Sequence, residues 1–193
     1  MKKRISITLN SPAVLSFAAV CFITLVVNYL TAGYSNKLLF MTYHSPLTSP
    51  LTYVRFFTHV LGHAGWPHYI GNMSYILLLG PMLEEKYGYK KILEIIAVTA
   101  VITAVVNYIF FPNVALCGAS GVVFAFILLT SFTSFKEGEI PITVILVALI
   151  FIGQQVYDGL FLNDNISNLS HILGGIVGAV MGYNLNRRSK NGR

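Results

Sequence analysis

The sequence has few charged residues and few cysteines. Charged side chains make up 10% of its 193 residues, whereas hydrophobic side chains make up 55%. Soluble domains carry about a quarter charged residues, so this shortage excludes an ordinary soluble protein and predicts an integral membrane protein with several helical spans. Two cysteines, Cys21 and Cys117, are too few for a disulfide framework. Both stand in apolar segments, as small buried hydrophobic residues do.

The net charge of +6 does not predict a nucleic-acid partner, because the basic residues cluster at the ends of apolar segments. Such a distribution is typical of a protein whose surroundings are a lipid bilayer. The N-terminal Lys2-Lys3-Arg4 precedes an apolar run from Pro12 to Ala32. This run is too long for the core of a signal peptide, and no convincing cleavage site follows it, so it predicts a first transmembrane helix.

Hydropathy predicts a single domain of six membrane spans between two short basic termini, residues 1–11 and 187–193. The domain covers 12–186, and its spans are 12–32, 67–85, 91–111, 118–135, 140–158 and 169–186. Six spans place both termini on one side, together with eleven of the thirteen Lys and Arg residues; only Lys37 and Arg55 fall on the other. The positive-inside rule then predicts that both termini are cytoplasmic.

The long connection from Gly33 to Pro67 is apolar, although it lies between two spans. Connections that run over a protein surface are normally polar. An apolar external connection predicts short helices that lie in the outer leaflet of the membrane.

The stretch that opens the fourth span carries the candidate nucleophile, Ser120. Gly118 and Gly121 flank it and allow the backbone to turn and to approach other groups closely. The apolar run that follows is short for a membrane span, which needs about 20 residues, so Ser120 is predicted to lie below the membrane surface. A serine hydroxyl needs a base to act as a nucleophile, and His171, inside another apolar segment, is the candidate.

Polar residues in the second and sixth spans complete the candidate site. His68 and Asn72 are four apart, share a helical face and can both donate hydrogen bonds to a developing oxyanion. The alternative is that they only hold packed helices together. Gly174, Gly178 and Gly182 form a stripe that allows close helix packing, which would bring His171 towards Ser120.

A metal site is the competing interpretation of the histidines. His59 and His63 are four apart, as in a zinc-protease motif, but the residues between them include no glutamate. Tyr157-Asp158-Gly159 is similar to an element of intramembrane metalloproteases, but the paired motif it needs is absent from the sequence. The sequence therefore predicts neither a metal nor another cofactor.

These motifs resemble the rhomboid family of intramembrane serine proteases. The resemblance spans the six-helix core and is strongest in three stretches: Arg55 to Asn72, which includes His63 and His68, Gly118-Ala119-Ser120-Gly121, and His171-Ile172-Leu173-Gly174 with Gly178. It implies a helical bundle with a membrane-embedded first external loop. It also implies a Ser120–His171 dyad, and an oxyanion hole made by His68, Asn72 and the Ser120 amide.

The resemblance also implies a substrate class and a location. The substrates would be transmembrane proteins, cleaved in or near a membrane helix, and the location would be the cytoplasmic membrane of a bacterium. Glu84 stands where family members carry an acid that closes the second span. Two departures are Val54, where the family has Trp, and Phe124, where relatives often have a Tyr that stacks on the histidine.

Two other functions remain as alternatives. A rhomboid-like, non-catalytic protein would bind membrane helices for quality control or trafficking; it would be signalled by loss of Ser120 or His171, and both residues are present. A channel or transporter is disfavoured because the sequence shows neither inverted repeats nor a line of charges across the spans.

Overall fold

A computed structural model of the chain describes residues 8–133, 139–161 and 168–188. These residues form helices and their connections, in agreement with the predicted all-α class. Within the described parts, the only strand-like pairing is an isolated antiparallel bridge between Thr42 and Leu116. The α-helices are α1 (Pro12–Leu30), α2 (Pro50–Thr58), α3 (Trp66–Tyr87), α4 (Tyr89–Phe110), α5 (Ser120–Ser131), α6 (Ile142–Phe161) and α7 (Asn168–Arg188).

Helix α5 is the centre of the bundle. Its residues from Gly121 to Leu129 are all buried except Phe124, which is partly exposed. A helix that is hydrophobic on every face suits a protein core or a lipid bilayer, and α5 contains no charged residue. Because α5 is buried among the other helices, Ser120 begins a helix inside the bundle.

Glycines bring α7 into close contact with α5. A Cβ atom on Gly174 would lie 2.0 Å from the carbonyl oxygen of Gly121, and a Cβ atom on Gly178 would lie 2.1 Å from that of Ala125. No side chain fits at either position, so the two backbones are in direct contact. The small-residue stripe of the sixth predicted span thus faces α5.

The carboxylate of Glu84 joins the end of α3 to the start of α1. Its Oε1 and Oε2 accept hydrogen bonds from the backbone N–H groups of Ala13 (3.0 Å) and Val14 (2.9 Å). These are amides of the first helical turn, which have no partner within the helix. An acid at a helix N-terminus also complements the helix dipole.

The connection between α1 and α3 is built largely from short helical segments, as the sequence suggested. A π-helical turn covers Asn36–Phe40, α2 follows, and a 3-10 turn covers His59–Leu61. Side chains tie the pieces together: Arg55 Nε donates to the Leu38 carbonyl at 2.9 Å. Asn36 Nδ2 donates to the carbonyl of His63 at 3.0 Å.

The bounds of the six long helices agree with those of the predicted spans to within four residues. Among the described residues, α1 and α4 are long and apolar enough to cross a membrane. Helix α5 and the apolar part of α6, Ile142–Tyr157, are shorter. The end of the predicted fourth span, 134–135, lies outside the described residues.

Candidate active site

Ser120 is the first residue of α5. Backbone hydrogen bonds tie the connection that precedes it to the connection between α1 and α3. Thr42 and Leu116 exchange backbone hydrogen bonds of 2.9 and 2.8 Å, and the Gly118 N–H donates to the carbonyl of His59 at 2.9 Å. Gly118 has a φ of +120°, a conformation that glycine adopts without strain. The backbone before Ser120 is thereby fixed against the α1–α3 connection.

Gly118 also lies directly against His68 and Asn72 of α3. A Cβ atom at this position would be 2.5 Å from both Cε1 and Nε2 of His68 and 3.6 Å from Nδ2 of Asn72. Only a residue without a side chain allows this approach. The side chains of His68 and Asn72 therefore flank the backbone at Gly118, two residues before Ser120. An oxyanion that formed next to the serine would need hydrogen-bond donors at this place.

One cavity of about 740 Å³ reaches Ser120, His171, His68 and Asn72. These side chains, which come from three separate stretches of the sequence, thus border the same space. The rest of the lining is mostly apolar: Met41, Ala64, Pro67, Gly71, Tyr75, Ala115, Leu116, Cys117, Val123 and Phe124. An apolar cavity with a few convergent polar groups is the usual form of a ligand site.

His171 contacts Phe124 and Gln155. Its ring stacks on Phe124, with centroids 4.5 Å apart and planes 7° from parallel. Its Nδ1 lies 2.5 Å from the amide oxygen Oε1 of Gln155 on α6. The next residue towards the N-terminus, Ser170, lies close to the start of α5, since its carbonyl oxygen would be 3.4 Å from a Cβ atom on Gly121.

Asn72 has a buried amide group that lacks a protein partner. The residue is only 7% exposed, and Nδ2 makes no hydrogen bond. A buried donor without an acceptor is costly, and such groups are rare enough to need an explanation. A donor of this kind beside a cavity is available to an acceptor that arrives with a ligand.

The ring of His63 packs against that of His68. The two rings are 5.1 Å apart in an edge-to-face arrangement, and Nδ1 of His63 lies 3.2 Å from the carbonyl of Leu61. Burial, together with the neighbouring His68, lowers the pKa of His63 from its usual 6.5 to about 4. His63 is therefore neutral at pH 7 and packs against its neighbour without charge repulsion.

His59 lies apart from His63, although the two residues are four apart in sequence. Its Nδ1 lies 3.2 Å from the carbonyl of Arg55, and its Nε2 lies 3.3 Å from the hydroxyl of Thr103 on α4. The segment is a 3-10 turn followed by extended backbone, so the four-residue spacing does not put the two rings on one face. Across the described residues, no three potential metal-binding side chains come together.

Gln155 is the site residue that the sequence analysis missed. It is buried, with 7% exposure, and follows a mostly apolar run, 142–153, of the same helix. Polar side chains at membrane depth are expensive and mark function or packing, which is the rule that singled out His68 and Asn72. Applied to Gln154-Gln155 in the fifth span, it would have identified this pair as well.

Three known proteins that the chain resembles belong to one family. The family model of the Rhomboid domain matches residues 50–188. Rhomboid protease GlpG of Haemophilus influenzae is 26% identical over 182 residues, covering 92% of both chains. Rhomboid-related protein 2 of Mus musculus is 30% identical over 158 residues, and Rhomboid-related protein 1 of Caenorhabditis elegans is 30% identical over 138 residues.

The relatives differ in how much of their length is matched. The alignment with the mouse protein covers 71% of this chain and 52% of the mouse chain. The alignment with the nematode protein covers 67% of this chain and 39% of the nematode chain. The chain therefore spans about half or less of these two animal relatives, and nearly all of the bacterial one.

Proposed function

Since the chain belongs to the rhomboid family and is therefore an integral membrane protein, we propose that it is an intramembrane serine endopeptidase. Its nucleophile is Ser120 and its general base is His171. Its substrates are membrane proteins, cleaved at a peptide bond in or near a transmembrane helix. The observation that carries the proposal is the single cavity lined by Ser120, His171, His68 and Asn72.

The proposed reaction proceeds through an acyl-enzyme. Ser120 Oγ forms a bond to the substrate carbonyl carbon while His171 takes the hydroxyl proton. The carbonyl oxygen becomes an oxyanion, which accepts hydrogen bonds from His68, Asn72 and the Ser120 amide. The intermediate then collapses, the carbon–nitrogen bond breaks, and His171 gives its proton to the leaving amine. Water hydrolyses the acyl-enzyme by the same proton transfers in reverse.

The unpartnered Nδ2 of Asn72 supports this assignment of the oxyanion hole. In the resting protein no acceptor of the protein itself pairs with the group, and in the reaction it gains a negatively charged one. A hydrogen bond that forms only in the transition state lowers the barrier without tightening substrate binding. The approach of His68 to Gly118 supports the same position for the oxyanion.

The proposed membrane arrangement has six spans and both termini in the cytoplasm. It is supported by the distribution of basic residues, eleven of which fall on one side. Reporter fusions test it: a fusion after residue 193 should report the cytoplasm, and one at Ser45 the outside. The opposite result at either position would refute the arrangement.

The activity is tested with a transmembrane substrate and a fluorophosphonate that labels activated serines. The wild-type protein in detergent should cleave the substrate and become labelled, and Ser120→Ala should do neither while keeping its melting temperature. Ser74→Ala makes the same chemical change at an exposed position on α3 and should behave as wild type. A folded wild-type protein that neither cleaves nor labels would identify a non-catalytic member of the family.

A further inference from the structure

Gln155 is a buried polar side chain on an apolar helix, and its partner is the proposed general base. Helix α6 reads ITVILVALIFIGQQVYDGLF and presents Gln155 to the interior and Gln154 to the exterior. Burying an amide without a hydrogen bond costs free energy. The contact between Gln155 Oε1 and His171 Nδ1 at 2.5 Å offsets that cost.

This contact fixes where the proton of a neutral His171 resides. An amide oxygen can only accept a hydrogen bond, so Nδ1 must carry the proton and donate it. The other ring nitrogen, Nε2, is then unprotonated and has the lone pair that a general base needs. With the amide oriented as it is, the opposite tautomer would place two acceptors, Nδ1 and Oε1, against each other, which is repulsive.

The two contacts of His171 restrict different motions of its ring. Stacking on Phe124 fixes the plane of the imidazole. The hydrogen bond from Nδ1 to Gln155 fixes the rotation of the ring within that plane. Together they determine the direction in which Nε2 points. Such a third group, which orients the base, is the part that an aspartate plays in a serine–histidine–aspartate triad.

Among the residues whose side chains the structure describes, those that line the two cavities at His171 include no carboxylate. The other titratable side chains that border the large cavity are His68, Tyr75 and Cys117. A second cavity, of about 90 Å³, touches His171 and Gln155 from the α6 side and is otherwise lined by apolar residues and Gly175. A neutral amide orients the base here without adding a charge that would have to be desolvated.

We propose that Gln155 is a positioning residue that completes a Ser120–His171–Gln155 triad by holding His171 in the Nδ1-protonated tautomer. The proposal rests on the proposed protease function and deepens it. Because Gln155 acts only through His171, its removal should lower kcat and leave KM nearly unchanged. If Gln155 served packing alone, its removal would instead lower the melting temperature.

Three variants separate these roles. Gln155→Leu keeps the size and removes the acceptor, which leaves the Nδ1–H of His171 without a partner; kcat should fall about tenfold or more. Gln155→Glu keeps an acceptor oxygen and adds a negative charge, so kcat should recover at alkaline pH. The acidic limb of its pH–rate profile should move to higher pH, because the anion favours the charged imidazolium. Gln154→Leu, on the exposed side of α6, should retain the wild-type profile.

The tautomer can be read without measuring catalysis. In ¹⁵N NMR spectra of histidine-labelled protein, assigned with His171→Ala, the wild type should show a protonated Nδ1, and Gln155→Leu should show a mixture of tautomers. A Gln155→Leu protein with wild-type kcat and unchanged tautomer would overturn the inference and leave the protease proposal intact. An inactive, unlabelled wild type would overturn the protease proposal instead, and this inference with it.

Discussion

The rings of Phe124 and His171 lie face to face, with centroids 4.5 Å apart and planes 7° from parallel. Phe124 follows Ser120 by four residues on α5, and residues four apart share a helical face. The stack therefore holds His171 against the face of α5 that carries Ser120. The phenyl ring of Phe124 therefore stacks on the histidine without a tyrosine hydroxyl.

Asn72→Ala should separate catalysis from helix packing. The Nδ2 group makes no hydrogen bond to another protein group, so its removal should leave the melting temperature close to that of the wild type. If the group donates to the oxyanion, kcat should fall about a hundredfold. Both quantities should be measured on one purified sample, with Asn184→Ala, at an exposed position on α7, as the control. A large loss of melting temperature with unchanged kcat per folded molecule would contradict the oxyanion role.

Gly174→Ala should destabilise the bundle, and a leucine there should do so more strongly. The new Cβ atom would lie 2.0 Å from the Gly121 carbonyl oxygen, so α7 must move away from α5. Overpacking of this kind costs about 1–3 kcal/mol or more. Gly175→Ala is the matched control on the same helix, because its nearest neighbour, Cδ2 of Leu128, is 3.5 Å away. Equal melting temperatures for the two variants would show that the glycine stripe does not pack as described.

Acid should destabilise the protein through His59. Burial lowers the pKa of His59 from its usual 6.5 to about 4, so the unfolded chain binds this proton more readily than the folded one. The contribution of His59 to the free energy of unfolding has its full value above pH 6.5. It falls by roughly 3 kcal/mol as the pH drops towards 4. The melting temperature of His59→Gln should depend less on pH in that window.

The control for this prediction is His44→Gln, since His44 is exposed. Its melting curve should follow that of the wild type between pH 4 and 6.5. If His59→Gln kept the full acid sensitivity, the loss of stability would have to come from other groups, such as the buried His63.

Glu84→Ala should loosen the junction between α1 and α3. It leaves the Ala13 and Val14 amides, at 3.0 and 2.9 Å from the carboxylate, without their acceptor in the first turn of α1. Loss of a helix cap costs about 1 kcal/mol, up to about 2. Thermal unfolding should show this loss, whereas Glu85→Ala, at an exposed neighbouring position, should be nearly neutral. Equal effects of the two substitutions would argue against capping.

Much of the candidate site follows from local sequence rules. Ser120 between glycines, His68 and Asn72 at helical spacing, and His171 before a glycine stripe are each visible in a short window of residues. They are polar residues in apolar segments. Burying a polar group costs so much free energy that its presence there indicates a function. For the same reason the apolar runs give the long helices to within a few residues.

Other contacts are visible only in the tertiary structure. Glu84 bonds to amides about seventy residues earlier in the chain, and Gly118 touches His68 because the connection before α5 is tied to Thr42 and His59. Gln155 became part of the site only when α6 packed beside α7 and brought its amide to His171. Hydropathy and spacing report how each segment partitions between water and an apolar environment. They carry no information on which helices become neighbours, because that depends on packing between distant parts of the chain.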